Sequence, residues 1–261
     1  MQNKLFMTII ALSVAILSAL PSNLIAEEKA LSSDKQAVQL IKETMKALGG
    51  KDNFYDKKGV TYSYLYRAPN GEMDLSQEDY IFDGEKSKAT YVVHEKFVMP
   101  KSKGDVVQSY DGKKTTVTIG DKPVTDPKAL QTAEFLRKTN YYWFTMMFKL
   151  LDQGSYLHYK GKRSLNGIKY DLVELTYADG VGDVSDIYLL YVNPTTKLID
   201  TFLFTVLDFG LTDPLIMEVE YQTVDGITLP LKRRYTKANW DGKVLDDQWT
   251  DEISFGVKFL E

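Results

Sequence analysis

The chain has 261 residues, and its only imidazoles are His94 and His158. General-base, metal and nucleophilic chemistry depends on such groups and their spacing. Each histidine falls inside a strand-like run, and neither belongs to a His-x-x-x-His or HExxH spacing. Gly154-Ser155 does not make a G-x-S-x-G elbow, and no phosphate-binding glycine loop is present. Asp179, Asp183 and Asp186 faintly follow a calcium loop, but the alternating ligands and closing Glu are missing, so they read as a polar loop. There is no cysteine, which excludes disulfides, Cys-ligated metals and Cys nucleophiles. With 36 acidic residues some carboxylates will lie close by chance, so a carboxylate-based hydrolase stays open as a third reading. The residues point to a protein that is not an enzyme and has no metal and no cofactor.

What the sequence offers instead is apolar surplus. In Tyr141–Leu151, nine of eleven residues are apolar or aromatic. A helix of that composition must be buried on more than one side. Thr201–Leu207 is apolar on both faces for part of its length, unusual for a simple antiparallel sheet. Either helices cover the outer face, or the sheet curls. A curled sheet plugged by apolar helices gives a filled core or an apolar ligand pocket, and composition leaves both open. Net charge is −4, which argues against nucleic acid as a partner, since phosphate binding needs a basic face.

The elements that must position these groups are mostly strands. A helix is expected over residues 32–48, with Ala37, Val38, Ile41, Met45 and Leu48 as its apolar stripe. Ser33 and Gln36 would form a capping box, and Gly49-Gly50 would end it. From about residue 58 short runs rich in Val, Thr and Tyr alternate with turns. Asn-Gly or Asp-Gly occurs seven times, at Asn70, Asp83, Asp111, Asn166, Asp179, Asp225 and Asp241, each followed by its glycine. These are favoured hairpin turns, so the chain reads as an antiparallel meander. Pro127 opens a second helix running to about Lys138, before the apolar stretch.

One hairpin can be read for register. Met217, Val219 and Tyr221 share a face, as do Leu229, Leu231, Arg233 and Tyr235. A two-residue loop at Asp225-Gly226 would set Val219 against Lys232. A three-residue loop, Val224-Asp225-Gly226, sets Val219 against Leu231 and keeps apolar with apolar, so it is preferred. Arg233 then sits on the apolar face opposite Met217, where a charge must pair, reach a rim or meet a ligand.

Residues 1–26 read as a cleavable signal peptide: Lys4, an apolar run from Leu5 to Leu20, then Pro21 and a cut after Ala26. Lys4 is its only charge, so the mature chain 27–261 carries −5. That chain would be a single domain in the periplasm, with no transmembrane span after signal removal.

The stretches "SLNGIKYDLVELTY" (Ser164–Tyr177), "YLLYVNPTTKLIDTFLF" (Tyr188–Phe204) and "VEYQTVDGITLPLKRRY" (Val219–Tyr235), with the export signal and the helix ending in Gly49-Gly50, resemble the periplasmic lipoprotein-carrier superfamily (LolA-like), in its outer-membrane-lipoprotein-sorting branch. The resemblance implies a mainly β fold, a strongly curved and unclosed antiparallel barrel of about ten or eleven strands with helices over the concave face. It implies a carrier or binding protein for an apolar ligand, with lipid or lipoprotein acyl chains as the partner. Tyr141, Tyr142, Trp143, Phe144, Met146, Met147 and Phe148 would then form a lid. Met217, Val219, Tyr221, Leu229, Leu231 and Arg233 would line a hydrophobic cavity. The alternative is a ligand-free envelope interaction or structural module whose core is simply full.

Overall fold

In the computed structural model, which describes residues 32–178, 186–207 and 211–261, the amphipathic stripe near the start forms helix α1 (Lys35–Ala47). The signal peptide at 1–26, the Asp179-Gly180 turn and Asp183 lie outside the described residues. Ala37, Ile41, Met45 and Leu48 are buried, as the stripe requires. The capping box does not form. Asp34 is the N-cap and its side chain bonds to no helical N–H. The Ser33 and Asp34 side chains instead accept from the Leu157 and Tyr159 N–H groups (3.0 and 2.9 Å), and the Asp34 N–H donates to the Leu157 carbonyl. A sheet edge with unpaired N–H groups competes for the same oxygens and wins here.

Gly49 (φ +104°) and Gly50 (φ +92°) stop α1 as expected. A Cβ on Gly49 would lie 2.4 Å from the Gly226 carbonyl oxygen, and Thr228 N–H donates to Leu48 O (2.8 Å). The helix end is thereby seated on a hairpin turn 177 positions further along the chain. Helix α2 (Lys51–Tyr55) follows at once and buries Phe54.

Six strands come next: β1 (Gly59–Arg67), β2 (Met73–Ile81), β3 (Lys86–His94), β4 (Val106–Tyr110), β5 (Thr115–Ile119) and the two-residue β6 (Lys122–Pro123). After helix α3 (Pro127–Lys149) come β7 (Ser155–Leu165), β8 (Ile168–Tyr177), β9 (Tyr188–Val192), β10 (Ile199–Val206), β11 (Leu211–Val224), β12 (Ile227–Lys237) and β13 (Thr250–Leu260). They form one antiparallel sheet, ordered β6-β5-β4-β3-β2-β1-β13-β12-β11-β10-β9-β8-β7. The sheet is not closed, since β6 and β7 are its two edges. Thirteen strands exceed the ten or eleven that the resemblance implied; the two-residue β6, which has no sequence signal of its own, accounts for one of the extra strands.

The sheet is strongly curved around α3. Six strand spacings separate β2 from β9, about 29 Å if the sheet were flat. Yet Phe144 lies 5.8 Å from Tyr80 of β2, and its neighbour Trp143 lies 6.2 Å from Tyr188 of β9 (ring centroids). One helix, about 10–12 Å across, meets both only if the sheet curls over it. Strand β10 is buried on both faces as read: Phe202 and Phe204 face α3, while Leu203 joins an outer cluster with Tyr170, Leu172, Leu189, Tyr191, Ile216 and Ala238. A loop, 238–249, covers that outer face; Trp249 packs on the cluster and Arg163 ties Trp240 O and the Tyr191 hydroxyl (2.6 and 2.8 Å).

The β11–β12 register corrects the expected loop. Asp225-Gly226 is a two-residue turn, both residues at positive φ, pairing Val224 with Ile227 and Gln222 with Leu229. A shift follows, after which Glu220 meets Lys232 and Val219 meets Arg233 rather than Leu231. The extra residue lies on β12, where Leu229, Pro230 and Leu231 are buried in succession. A bulge changes parity just as a longer loop would, so the predicted faces hold although their cause differs. Pro230 suits the bulge because it has no N–H to leave unpaired.

Gly49 gives a direct check. Gly49→Ala puts a Cβ against a carbonyl and forces a left-handed residue, which alone costs roughly 1–2 kcal/mol. Urea denaturation is expected to show a loss of about 2 kcal/mol or more with an unchanged slope.

Candidate functional site: an apolar interior around one helix

Helix α3 starts as read, with Pro127 in its first turn and Asp126 accepting from the Ala129 N–H (2.9 Å). It does not stop near Lys138 but runs unbroken to Lys149. Neither Gly nor Pro interrupts Thr139-Asn140, so nothing ends the helix before the apolar stretch, which becomes its second half.

That half is enclosed by rings. Phe148 stacks on Phe54 (centroids 4.1 Å apart), Phe144 on Tyr62 (4.7 Å) and Trp143 on Phe202 (5.8 Å), with Phe204 edge-on to Trp143 (5.3 Å). Burying each such side chain stabilises by about 1.5–3 kcal/mol. The predicted residues come together. Tyr141, Phe144, Met146, Met147, Phe148, Met217, Leu229 and Leu231 are buried in one inner cluster, with Tyr142, Trp143, Val219 and Tyr221 half-buried against it. Arg233 lies on the same face. Its Nε and Nη2 donate to Glu252 (3.0 and 2.7 Å), and Nη1 donates to the Trp143 carbonyl (2.8 Å). The pairing demanded of a charge on that face is therefore met by Glu252, and across the strand Arg233 stands opposite Val219 rather than Met217.

A second polar anchor has no counterpart in the sequence reading. Arg137 of α3 is fully buried and bidentate to Glu78 of β2. It also donates to the Tyr91 hydroxyl (2.6 Å) and to Gln108 (3.3 Å), while Ser76 donates to Glu78 (2.6 Å). Burial works to lower the Arg137 pKa, but Glu78, Tyr91 and Tyr80 together raise it and hold the guanidinium charged. The inner row of β2, Asp74, Ser76 and Glu78, is polar for this reason and for a loop: Asp74 accepts from the Lys96 and Phe97 N–H groups (both 2.9 Å). Two signals could have found it: an arginine spaced by four between Ala133 and Tyr141, and an alternating polar row.

The interior tyrosines mostly bond to each other. Tyr62 donates to Tyr80 (2.8 Å), Tyr66 pairs with Tyr235 (3.1 Å), Tyr142 with Tyr177, and Tyr221 donates to Ile199 O (2.9 Å). Burial raises their pKa values, Tyr177 to about 12, so they are neutral donors at neutral pH. The buried carboxylates are likewise engaged: Glu78 and Glu252 by arginines, Asp171 by Tyr159 (2.8 Å), Asp186 by Thr205 (2.9 Å). Among the described residues no group of three or more His, Asp or Glu could hold a metal. His94 bonds Gly104 O (3.0 Å) and His158 lies 3.9 Å from Asp34. A groove of about 590 Å³ lies on the other, charged face of β10–β13, where Arg234 pairs with Glu218 and Lys232 with Glu220.

Arg137 and Glu78 should behave as a unit. Arg137→Met leaves a buried, uncompensated carboxylate and is expected to lower stability by about 3–5 kcal/mol. Adding Glu78→Met should recover much of that loss. A double-mutant cycle by urea denaturation measures it, and additive losses would refute the coupling.

No protein-family model matches the chain, and no curated protein matches it. Solved structures do. A LolA superfamily protein from Nitrosomonas europaea aligns with a TM-score of 0.50 at 14% identity, covering 86% of this chain and 93% of that one. A DUF1329 family protein from Desulfovibrio piger aligns with a TM-score of 0.50 at 11% identity, covering 87% and 93%. An unclosed, curved antiparallel sheet that holds its helices on the inner face, matched by these structures over most of its length, is a LolA-like fold.

Proposed function

We propose that this protein is a non-catalytic carrier or binding protein for an apolar ligand, the acyl chains of a lipid or lipoprotein, exported to the periplasm by residues 1–26. The observation that carries the reading is the second half of α3. Its side chains are apolar on nearly every side and fill the inner face of the curved sheet, where Met146, Met147 and Met217 meet the aromatic rings. An acyl chain could replace them contact for contact, since apolar-for-apolar exchange needs little free energy and methionine repacks readily. Trp143 and Tyr142 are the half-buried aromatic residues in the second half of α3, and such an exchange would begin there. The LolA-like fold supports the reading, although fold alone does not establish function. Engagement of the buried carboxylates by structural donors favours a non-catalytic protein. Among the described residues no helix is long and apolar enough to cross a membrane.

One observation favours the second reading, a ligand-free interaction module: the interior side chains already fill one another, with Phe148, Phe202 and Met217 fully buried. Uptake separates the two. The purified protein, titrated with an apolar fluorescent dye and weighed by native mass spectrometry after incubation with lipid, is expected to bind both at about one per chain. Trp143→Ala should cost about 3 kcal/mol of stability while raising dye uptake, because it opens space beside Phe202 and Phe204. No uptake by either form would sink the carrier reading.

A further inference from the structure

Three buried side-chain polar atoms among the described residues have no hydrogen-bond partner: His94 Nδ1 on β3, Thr115 Oγ1 on β5, and the Tyr141 hydroxyl on α3. Of these, Tyr141 alone belongs to the inner apolar cluster. It is 4% exposed, and its ring lies 5.3 Å from that of Tyr80, whose own hydroxyl is bonded to Tyr62. Burial raises the Tyr141 pKa, with the Glu85 carboxylate adding to it, so the group is a neutral donor. The contrast with its neighbours is sharp. Tyr142 has Tyr177, Tyr62 has Tyr80, and Phe144 and Phe148, which share its side of the helix, are phenylalanines. A buried hydroxyl without a partner is a net cost to the fold, and phenylalanine would fill almost the same volume without it.

We propose that the Tyr141 hydroxyl is the hydrogen-bond donor to the carbonyl oxygen of an acyl ester held in the interior. The inference rests on the carrier reading above and names its ligand class. The acceptor must be neutral. A free carboxylate buried here would need a cation, and both buried guanidiniums, Arg137 and Arg233, are already committed to Glu78 and Glu252. A plain hydrocarbon would leave the hydroxyl unbonded. An ester carbonyl is a neutral acceptor placed at the end of an acyl chain, and both glycerolipids and acylated lipoproteins carry one.

The test compares two lysolipids that differ in one oxygen, 1-palmitoyl-lysophosphatidylglycerol and its 1-hexadecyl ether, in titrations of the wild type and Tyr141→Phe. The wild type is expected to bind the ester about fivefold more tightly or better, a difference of about 1 kcal/mol. Tyr141→Phe should bind the two alike, with a Tm no lower than that of the wild type. A synthetic diacylated lipopeptide is titrated alongside; loss of affinity in Tyr141→Phe for the lysolipid ester, with or without a loss for the lipopeptide, supports the assignment, and the tighter ligand identifies the source of the ester. Equal affinities in the wild type, a preference that survives in Tyr141→Phe, or a lower Tm in that variant would overturn the assignment. Binding of neither lysolipid nor lipopeptide to the wild type would instead overturn the carrier reading itself.

Discussion

A helix that is apolar on nearly every side cannot rest on one face of a flat sheet, and this constraint governs the molecule. Phe144 and Phe148 on one side of α3, and Trp143 and Met146 on others, all find apolar partners. Strands β1 and β2 supply them on one flank and β9 and β10 on the other. The sheet bends because the helix needs walls on several sides. Bending without closing leaves edges, and the β7 edge is covered by Ser33 and Asp34, which give up helix capping to do so. The outer face of β10 also needs cover, and the 238–249 loop provides it.

Apolar contact supplies most of the stabilisation but sets no unique position, because oily surfaces slide. Two buried ion pairs supply the position. Arg137 reaches from the middle of α3 to Glu78, and Arg233 reaches from β12 through Glu252 and back to the Trp143 carbonyl. Buried pairs of this kind add little net stability compared with well-packed apolar residues, yet removing one partner is costly. They hold the helix at two places, before and at the start of its aromatic half. Beyond Trp143 no buried ion pair holds the helix among the described residues, and the contacts are rings and methionines.

Much of the β content was legible. Five of the seven Asn-Gly and Asp-Gly dipeptides connect neighbouring strands: Asn166-Gly167 and Asp225-Gly226 place both residues at positive φ, while at Asn70, Asp83 and Asp111 only the following glycine takes it. Asp241-Gly242 instead shapes the covering loop, where Gly242 approaches the Tyr191 hydroxyl. Strand β2 was legible only in its second half. Its inner residues are Asp74, Ser76 and Glu78, and polar residues look solvent-facing until their partners are known. Those partners, Arg137, Gln108, Lys96 and Phe97, come from elements far along the chain.

The sequence by itself determined local matters: where the chain turns, where α1 ends, that Tyr141–Leu151 is buried on several sides, and that Arg233 on an apolar face must find a partner. These follow from the φ preferences of glycine and asparagine, from periodicity and from the cost of burying charge. Tertiary structure alone decided which glutamate takes which arginine, that Ser33 serves a strand edge instead of its helix, and that a bulge at Pro230–Leu231 sets the face of Arg233. It also decided that one hydroxyl, Tyr141, is left without a partner inside the curved sheet. Each of these depends on groups distant in sequence brought within about 3 Å, and hydrogen bonds and ion pairs at that range carry no periodicity to read.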